Sequence, residues 1–178
     1  MGVTEPDGGW ETIVRRARRG DPLAVDALVR ALSPYVGRIC GAVALDHGDD
    51  AAQETFIAVL RALPGLREPA ALHGWVRRIA VREAVRVASR ARRDVPVDPT
   101  DEASPAQRLV QRAPDTATDL DVRATLTELS PEHRAVLVMR DLEGWSEREV
   151  AEALAVAPGT AKSRLSRARS AFARRWAS

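Results

Sequence analysis

Apolar residues in this chain return every third or fourth position, the spacing of a helix packed on one face, rather than every second position as in a half-buried strand. Asp21 before Pro22 predicts a helix start, with the carboxylate as cap and proline at the first helical position. Leu28, Leu32, Tyr35, Val36 and Ile39 then continue one apolar face, and Ser33-Pro34 marks a place for the helix to kink or restart. After the turn DHGD, Ala52, Phe56, Leu60 and Leu63 form a second stripe that Pro64-Gly65 stops, with Asp50, Gln53, Glu54 and Arg61 on the opposite face. A loop, GLREPAALHG, leads to a long helix expected from about Trp75. It carries Trp75, Ile79 and Glu83 or Ala84 on one side and arginines on the other.

The second half is punctuated more clearly. Ser130-Pro131 caps and starts a helix through Leu137 and Leu142 that Gly144 ends. In SEREV, Ser146 and Glu149 have the spacing of a capping box, in which hydroxyl and carboxylate each satisfy a backbone N–H of the next helix. Three residues, Ala155, Val156 and Ala157, separate that short helix from a final one that begins at Pro158. Its apolar residues, Ala161, Leu165, Ala168 and Phe172, make a single narrow stripe.

Composition agrees with helices. Ala, Leu, Arg and Glu are abundant, aromatics are only 4%, and 178 residues with 45% hydrophobic content suffice for one ordinary domain or two small ones. The fold class expected is all-α. Charge divides the chain further, although the net value is only +2. Trp75 to Arg93 holds seven arginines against Glu83 alone, and the segment from Pro158 onward holds six basic residues and no acid. Between them, Asp94 to Asp121 holds seven acids against Arg108 and Arg112, together with Pro96, Pro99, Pro105 and Pro114. That composition reads as a flexible acidic linker over 94–117 joining two small helical domains, 8–93 and 118–177.

Other chemistry is sparse. Cys40 is the single cysteine, so it forms no internal disulfide and is expected to be core; His47, His73 and His133 lack zinc-ligand spacing. No metal, cofactor or catalytic cluster is expected, because no nucleophile, base and orienting group emerge together. The first residues, MGVTEPDGGW, lack a basic start and an apolar segment, and no downstream run is expected to approach the about 20 residues of a membrane span. A cytoplasmic protein without membrane insertion is expected.

The final helix carries the sharpest chemistry. Two helices joined by a three-residue turn, with Ala151 at their crossing and Val156 plugging the turn, make a helix-turn-helix pattern. With the apolar stripe turned inward, Lys162, Ser163, Ser166, Arg167 and Ser170 face outward. Such a helix fits the DNA major groove, where Lys or Arg donates to guanine and Ser serves either base. Gly159 and Thr160 at the helix start would bring backbone N–H groups toward a phosphate. Lys162 is the chain's single lysine among 27 basic residues, flanked by Arg164, Arg167 and Arg169.

The stretch GWSEREVAEALAVAPGTAKSRLSRAR resembles the promoter-reading helix-turn-helix of bacterial extracytoplasmic-function (ECF) sigma factors. DDAAQETF, VLRALPGL and WVRRIAVR resemble sigma region 2. The resemblance spans 20–93 and 118–175. It implies a non-catalytic subunit that binds core RNA polymerase and directs it to promoter DNA. It also implies that Asp50, Gln53 and Glu54 dock on the β′ clamp helices and that the second domain docks on the β flap. Gly159, Thr160, Lys162, Ser163, Arg164, Ser166, Arg167 and Arg169 would read the minus 35 element. Arg67, Trp75, Arg77, Arg78 and Arg82 would bind and open the minus 10 element, and an anti-sigma factor would mask these surfaces. Arg82 stands where the family usually places Asn, and Ala155 where it often places Gly at a turn position of positive φ. The competing reading is a dimeric helix-turn-helix operator-binding regulator, which would need a dimer face and a palindromic site.

Overall fold

The computed structural model describes residues 9–93 and 117–176, so the expected linker, Ala117 apart, lies outside the described residues. Within them the chain forms eight α-helices and no strand. The first half comprises α1 (Gly9–Ala17), α2 (Pro22–Ala44), α3 (Gly48–Ala62) and α4 (Leu72–Arg93), and the second α5 (Ala117–Thr127), α6 (Pro131–Leu137), α7 (Glu147–Ala153) and α8 (Pro158–Trp176).

Asp21 caps α2 as expected, its side chain accepting from the N–H groups of Leu23 and Ala24 at 3.0 and 3.3 Å. Pro34 neither breaks nor restarts the helix, which runs through it. The packed neighbours outweigh the one backbone donor that proline removes. Leu28, Leu32, Val36, Ile39 and Val43 are completely buried where α2, α3 and α4 pack on one another. That apolarity corrects one expectation. The run Pro22–Gly65 contains a window of mean hydropathy 1.3, long and apolar enough by composition to cross a bilayer, but half of the window is buried inside the fold, as in a core helix.

The connection from α2 to α3 is a 3-10 turn, Leu45–His47, entered through Leu45 at φ 54°. Gly48 then starts α3 with no room for a side chain, since a Cβ there would lie 2.9 Å from the Gly41 Cα. The smallest residue is what lets α3 fold back onto α2.

Two expectations about α4 are corrected. It begins at Leu72, not Trp75, after a 3-10 turn at Pro69–Ala71 that starts on proline. Its inward face is Leu72, Val76, Ile79, Ala80 and Ala84, and Trp75 is only half-buried. Leu72, completely buried, extends the apolar period one turn earlier than the loop-like sequence suggested. The helix α1, unmarked in the sequence reading, seats Ile13, Val14 and Ala17 against α2, and Trp10 meets His73 edge-on at 4.6 Å.

In the second half Ser130 caps α6, accepting from the His133 N–H at 3.2 Å, and Pro131 occupies the first turn. The helix continues as a wider π turn, Val138–Leu142, and ends at Gly144 with φ 70°. α6 and α8 pack together, α7 packs on α8, α6 also lies against α2 and α4, and α7 lies against α4.

Candidate nucleic-acid interface

The α7–α8 unit is built by local chemistry. The capping box is complete: Ser146 Oγ accepts from the Glu149 N–H at 3.2 Å, and the Ser146 N–H donates to Glu149 Oε2 at 2.8 Å. At the other end of α7, the Val156 N–H donates to the Ala151 carbonyl at 3.0 Å and the Ala155 N–H to the Glu152 carbonyl at 3.3 Å. These paired bonds form a Schellman closure, which requires a left-handed residue at its centre; Ala155 takes φ 52°, as its place in the turn predicts. Buried Ala151 and Ala153 let the two helices approach closely.

On α8 three of the four stripe residues lie inward as expected, while Phe172 is only half-buried and stacks on Trp176 at 5.8 Å. Ala161, Leu165 and Ala168 are buried, while Lys162, Ser163, Ser166, Arg167 and Ser170 are exposed on the other side. Lys162 has no ion-pair partner among the described residues. Arg167 donates to the Ser163 carbonyl at 3.2 Å and the Ser163 hydroxyl at 3.3 Å, which holds its guanidinium along the helix face. Gly159 is exposed with open space around it, whereas the Thr160 N–H already donates to the Ala157 carbonyl at 2.9 Å. Gly159 therefore offers the freer backbone donor of the two.

Two arginines of the expected set are turned differently. Arg164 is half-buried and its charge reaches α6, where the pKa of His133 is lowered chiefly by burial and further by Arg167 and Arg164. Arg169 is braced on Asp141 of the π turn, with Nε at 3.1 Å and Nη2 closing a second bond, and that hydrogen bonding raises its pKa.

The first half presents a second basic face. Arg67 is exposed in the loop before α4, and Arg78 and Arg82, one turn apart, are exposed together on α4. Arg77 is separated from them. Its Nη2 lies 3.1 Å from Glu149 and its Cζ sits 4.0 Å from the centroid of the Trp145 ring, a cation–π contact across the two halves. On α3, Gln53 and Asp50 are exposed, with Asp50 3.9 Å from the His47 Nδ1. Glu54 is 2.9 Å from Arg86, which also holds Glu83 at 2.6 Å. Ile57, 43% exposed, extends this acidic face with an apolar residue that the charge pattern alone did not single out. Cys40 is fully buried beside Thr55, and burial pushes its thiol pKa up to about 12.

A capped helix-turn-helix with an exposed Lys/Ser/Arg face, behind a helical body bearing a second arginine face, defines a DNA-directed transcription protein. Residues 25–94 match the family profile of Sigma-70 region 2, and residues 119–172 match that of Sigma-70, region 4. The chain is 32% identical to the ECF RNA polymerase sigma factor SigM of Mycobacterium tuberculosis over 157 residues, covering 87% of this chain and 78% of that one. It is also 32% identical to the RNA polymerase sigma-H factor of Pseudomonas aeruginosa over 182 residues, covering 91% of each. The fold is shared with the sigma factor RpoE of Bartonella quintana, solved in complex with the anti-sigma factor NepR, at TM-score 0.55 and 21% identity over 80% of this chain and 89% of that one. It is shared as well with CnrH, solved in complex with the cytosolic domain of CnrY, at TM-score 0.58 and 22% identity over 91% and 93% of the two chains. The chain belongs to the ECF RNA polymerase sigma factors. It is a transcription-initiation factor that directs RNA polymerase to promoters, and the operator-binding dimer is not favoured.

Proposed function

We propose that the two halves divide promoter recognition, with α8 reading the minus 35 element and the α4 face with its preceding loop engaging the minus 10 element. The observation that carries this reading is the separation of faces on α8. Its buried stripe of Ala161, Leu165 and Ala168 holds the helix by one side and leaves Lys162, Ser163, Ser166 and Arg167 together on the other. An α-helix presented in this way fits the major groove, with its N-terminal residues nearest the base edges. Arg67, Arg78 and Arg82 supply the cationic surface for the minus 10 strand, and half-buried Trp75 offers a ring edge near it.

Core polymerase docks on α3 through Asp50, Gln53 and Glu54, with Ile57 as the apolar centre that such a contact needs. The second half docks on the β flap. An anti-sigma factor, like the NepR bound to the sigma factor RpoE of Bartonella quintana, covers these faces in the inactive state, and the protein works in the cytoplasm without catalysing a reaction.

Gel filtration of the chain with core polymerase tests the docking assignment. Wild type co-elutes, and reversal of charge at Asp50 and Glu54 together abolishes co-elution while helical content is unchanged. Co-elution of the reversed protein would remove α3 from the polymerase interface.

A further inference from the structure

The helix α1 lies ahead of the residues that match region 2, 25–94, and its part in the molecule is read from its contacts. Val14 is completely buried, with Ile13 and Ala17 nearly so, which seats α1 on α2 as a rigid strut. The strut meets both ends of the segment that joins α3 to α4. Arg18, in the turn that closes α1, donates through Nη2 to the Pro64 carbonyl at 3.1 Å, in the turn that follows α3. At the opposite end of α1, Trp10 meets the ring of His73, in the first turn of α4, edge-on at 4.6 Å. α1 also packs on the 3-10 turn Pro69–Ala71 within the segment.

The joining segment does little to hold itself. Leu66 and Leu72 anchor it inward, while Arg67, Glu68, Ala70 and Ala71 are exposed. The Leu66 N–H donates to the Leu63 carbonyl and the Ala71 N–H to the Glu68 carbonyl, both at 3.0 Å, and bonds of that span close only single turns. His73 Nε2 is buried without a hydrogen-bond partner among the described residues, so packing on Trp10, not a bond at that nitrogen, steadies the ring. The Arg18 bond has a charged donor, which makes it stronger than a neutral pair.

We propose that α1 is a positioning helix for the α3–α4 segment: Arg18 on the Pro64 carbonyl and Trp10 on His73 pin its two ends, and so fix where Arg67 stands relative to Arg78 and Arg82 of α4. A segment held at both ends has less freedom to lose when a strand binds, and it accepts fewer shapes of strand. α1 thereby sharpens base preference without touching DNA. Only this last consequence rests on the minus 10 role proposed above.

Amide hydrogen exchange of the full chain tests the pinning. Arg18→Ala, at an exposed position, and Trp10→Ala each speed exchange at the Leu66 and Ala71 amides about fivefold, the factor for one net hydrogen bond, with the Val36 and Val43 amides of α2 unchanged. Arg18→Lys keeps a cationic donor and Trp10→Phe an aromatic edge, and both restore most of the protection. Arg19→Ala removes the same charge next door, from a side chain that bonds back to the Arg15 carbonyl, and leaves the segment amides alone. Segment amides that keep wild-type rates in Arg18→Ala, or that speed up only in step with Val36 and Val43, overturn the pinning.

Transcription with core polymerase from libraries of minus 10 and minus 35 variants adds a separate reading. Arg18→Ala and Trp10→Ala flatten the minus 10 preference and leave the minus 35 preference intact. Equal flattening by Arg19→Ala would make α1 a source of charge and overturn the positioning role. Loosened amides with an unchanged minus 10 profile sustain the pinning and retire the minus 10 role of the segment.

Discussion

Lys162 and Arg169 lie two turns apart on α8, yet they meet different surroundings. Lys162 is exposed without an ion-pair partner among the described residues, while Arg169 is held by Asp141. If Lys162 reads a base edge, Lys162→Ala costs about 1 to 3 kcal/mol at one minus 35 position and relaxes preference there. Lys162→Arg instead shifts the preferred base, because a fork that pairs two guanine acceptors replaces a point charge. Arg167→Ala weakens all sequences alike and lowers the salt slope by about one, whereas Arg169→Ala falls short of that because Asp141 already neutralises it. Binding across a library of minus 35 variants at several salt concentrations separates these outcomes, and a flat preference profile for both Lys162 variants would make that side chain a solvated bystander. Ala155 offers a stability test of the same unit. At φ 52° an alanine is strained where glycine is not, so Ala155→Gly raises the thermal midpoint by an equivalent of up to about 1 kcal/mol. An unchanged or lowered midpoint would show that the turn carries no such strain.

Elements with strong local punctuation were legible in the sequence, and those defined by distant partners were not. Asp21, Ser130 and Ser146 cap the helices they precede because each hydroxyl or carboxylate needs only its own next few residues. Leu72 and α1 escaped the reading because short apolar stretches become helices only against a core already assembled. On α4 the reading placed Ile79 and Ala84 inward, where they are buried, but took Trp75 for the position that Val76 fills, since a large aromatic outweighs a small aliphatic in a pattern but not in packing. The exposed α8 face was legible because three buried positions at helical spacing fix the opposite side; the fate of Arg77 was not, since its partners Glu149 and Trp145 belong to the other half. The capping box gives the prediction at this scale. Ser146→Ala costs about 1 kcal/mol of stability at neutral pH. Hydrogen bonds from Ser146 hold the Glu149 carboxyl below its ordinary value of 4.5, so its contribution is present above that pH and is lost as pH falls through the lowered folded value. The stabilities of wild type and Glu149→Gln should therefore converge in acid, and a gap that stays constant from neutral to acid pH would rule out this role.

For the whole molecule, two basic faces on separate helical halves, with an acidic and partly apolar face on α3, suit a protein that must hold polymerase and two DNA elements at once. Linking two weak DNA contacts raises their joint affinity through effective concentration, so neither half alone needs to bind tightly. Severing them should therefore cost more than the sum of the parts: the isolated halves, mixed at equal concentration, should not replace the intact chain in promoter binding with polymerase. Equal activity of the mixture would mean that the connection contributes nothing. The most direct measurement of the central claim is run-off transcription with core polymerase and purified chain on a genomic fragment library, mapped to transcript starts. Starts that require the chain and share two upstream elements at a fixed spacing, with the upstream element altered in its base preference by Lys162→Arg, are the predicted result. Starts that are independent of the chain, or a chain that binds palindromic DNA as a dimer without stimulating initiation, would contradict the account.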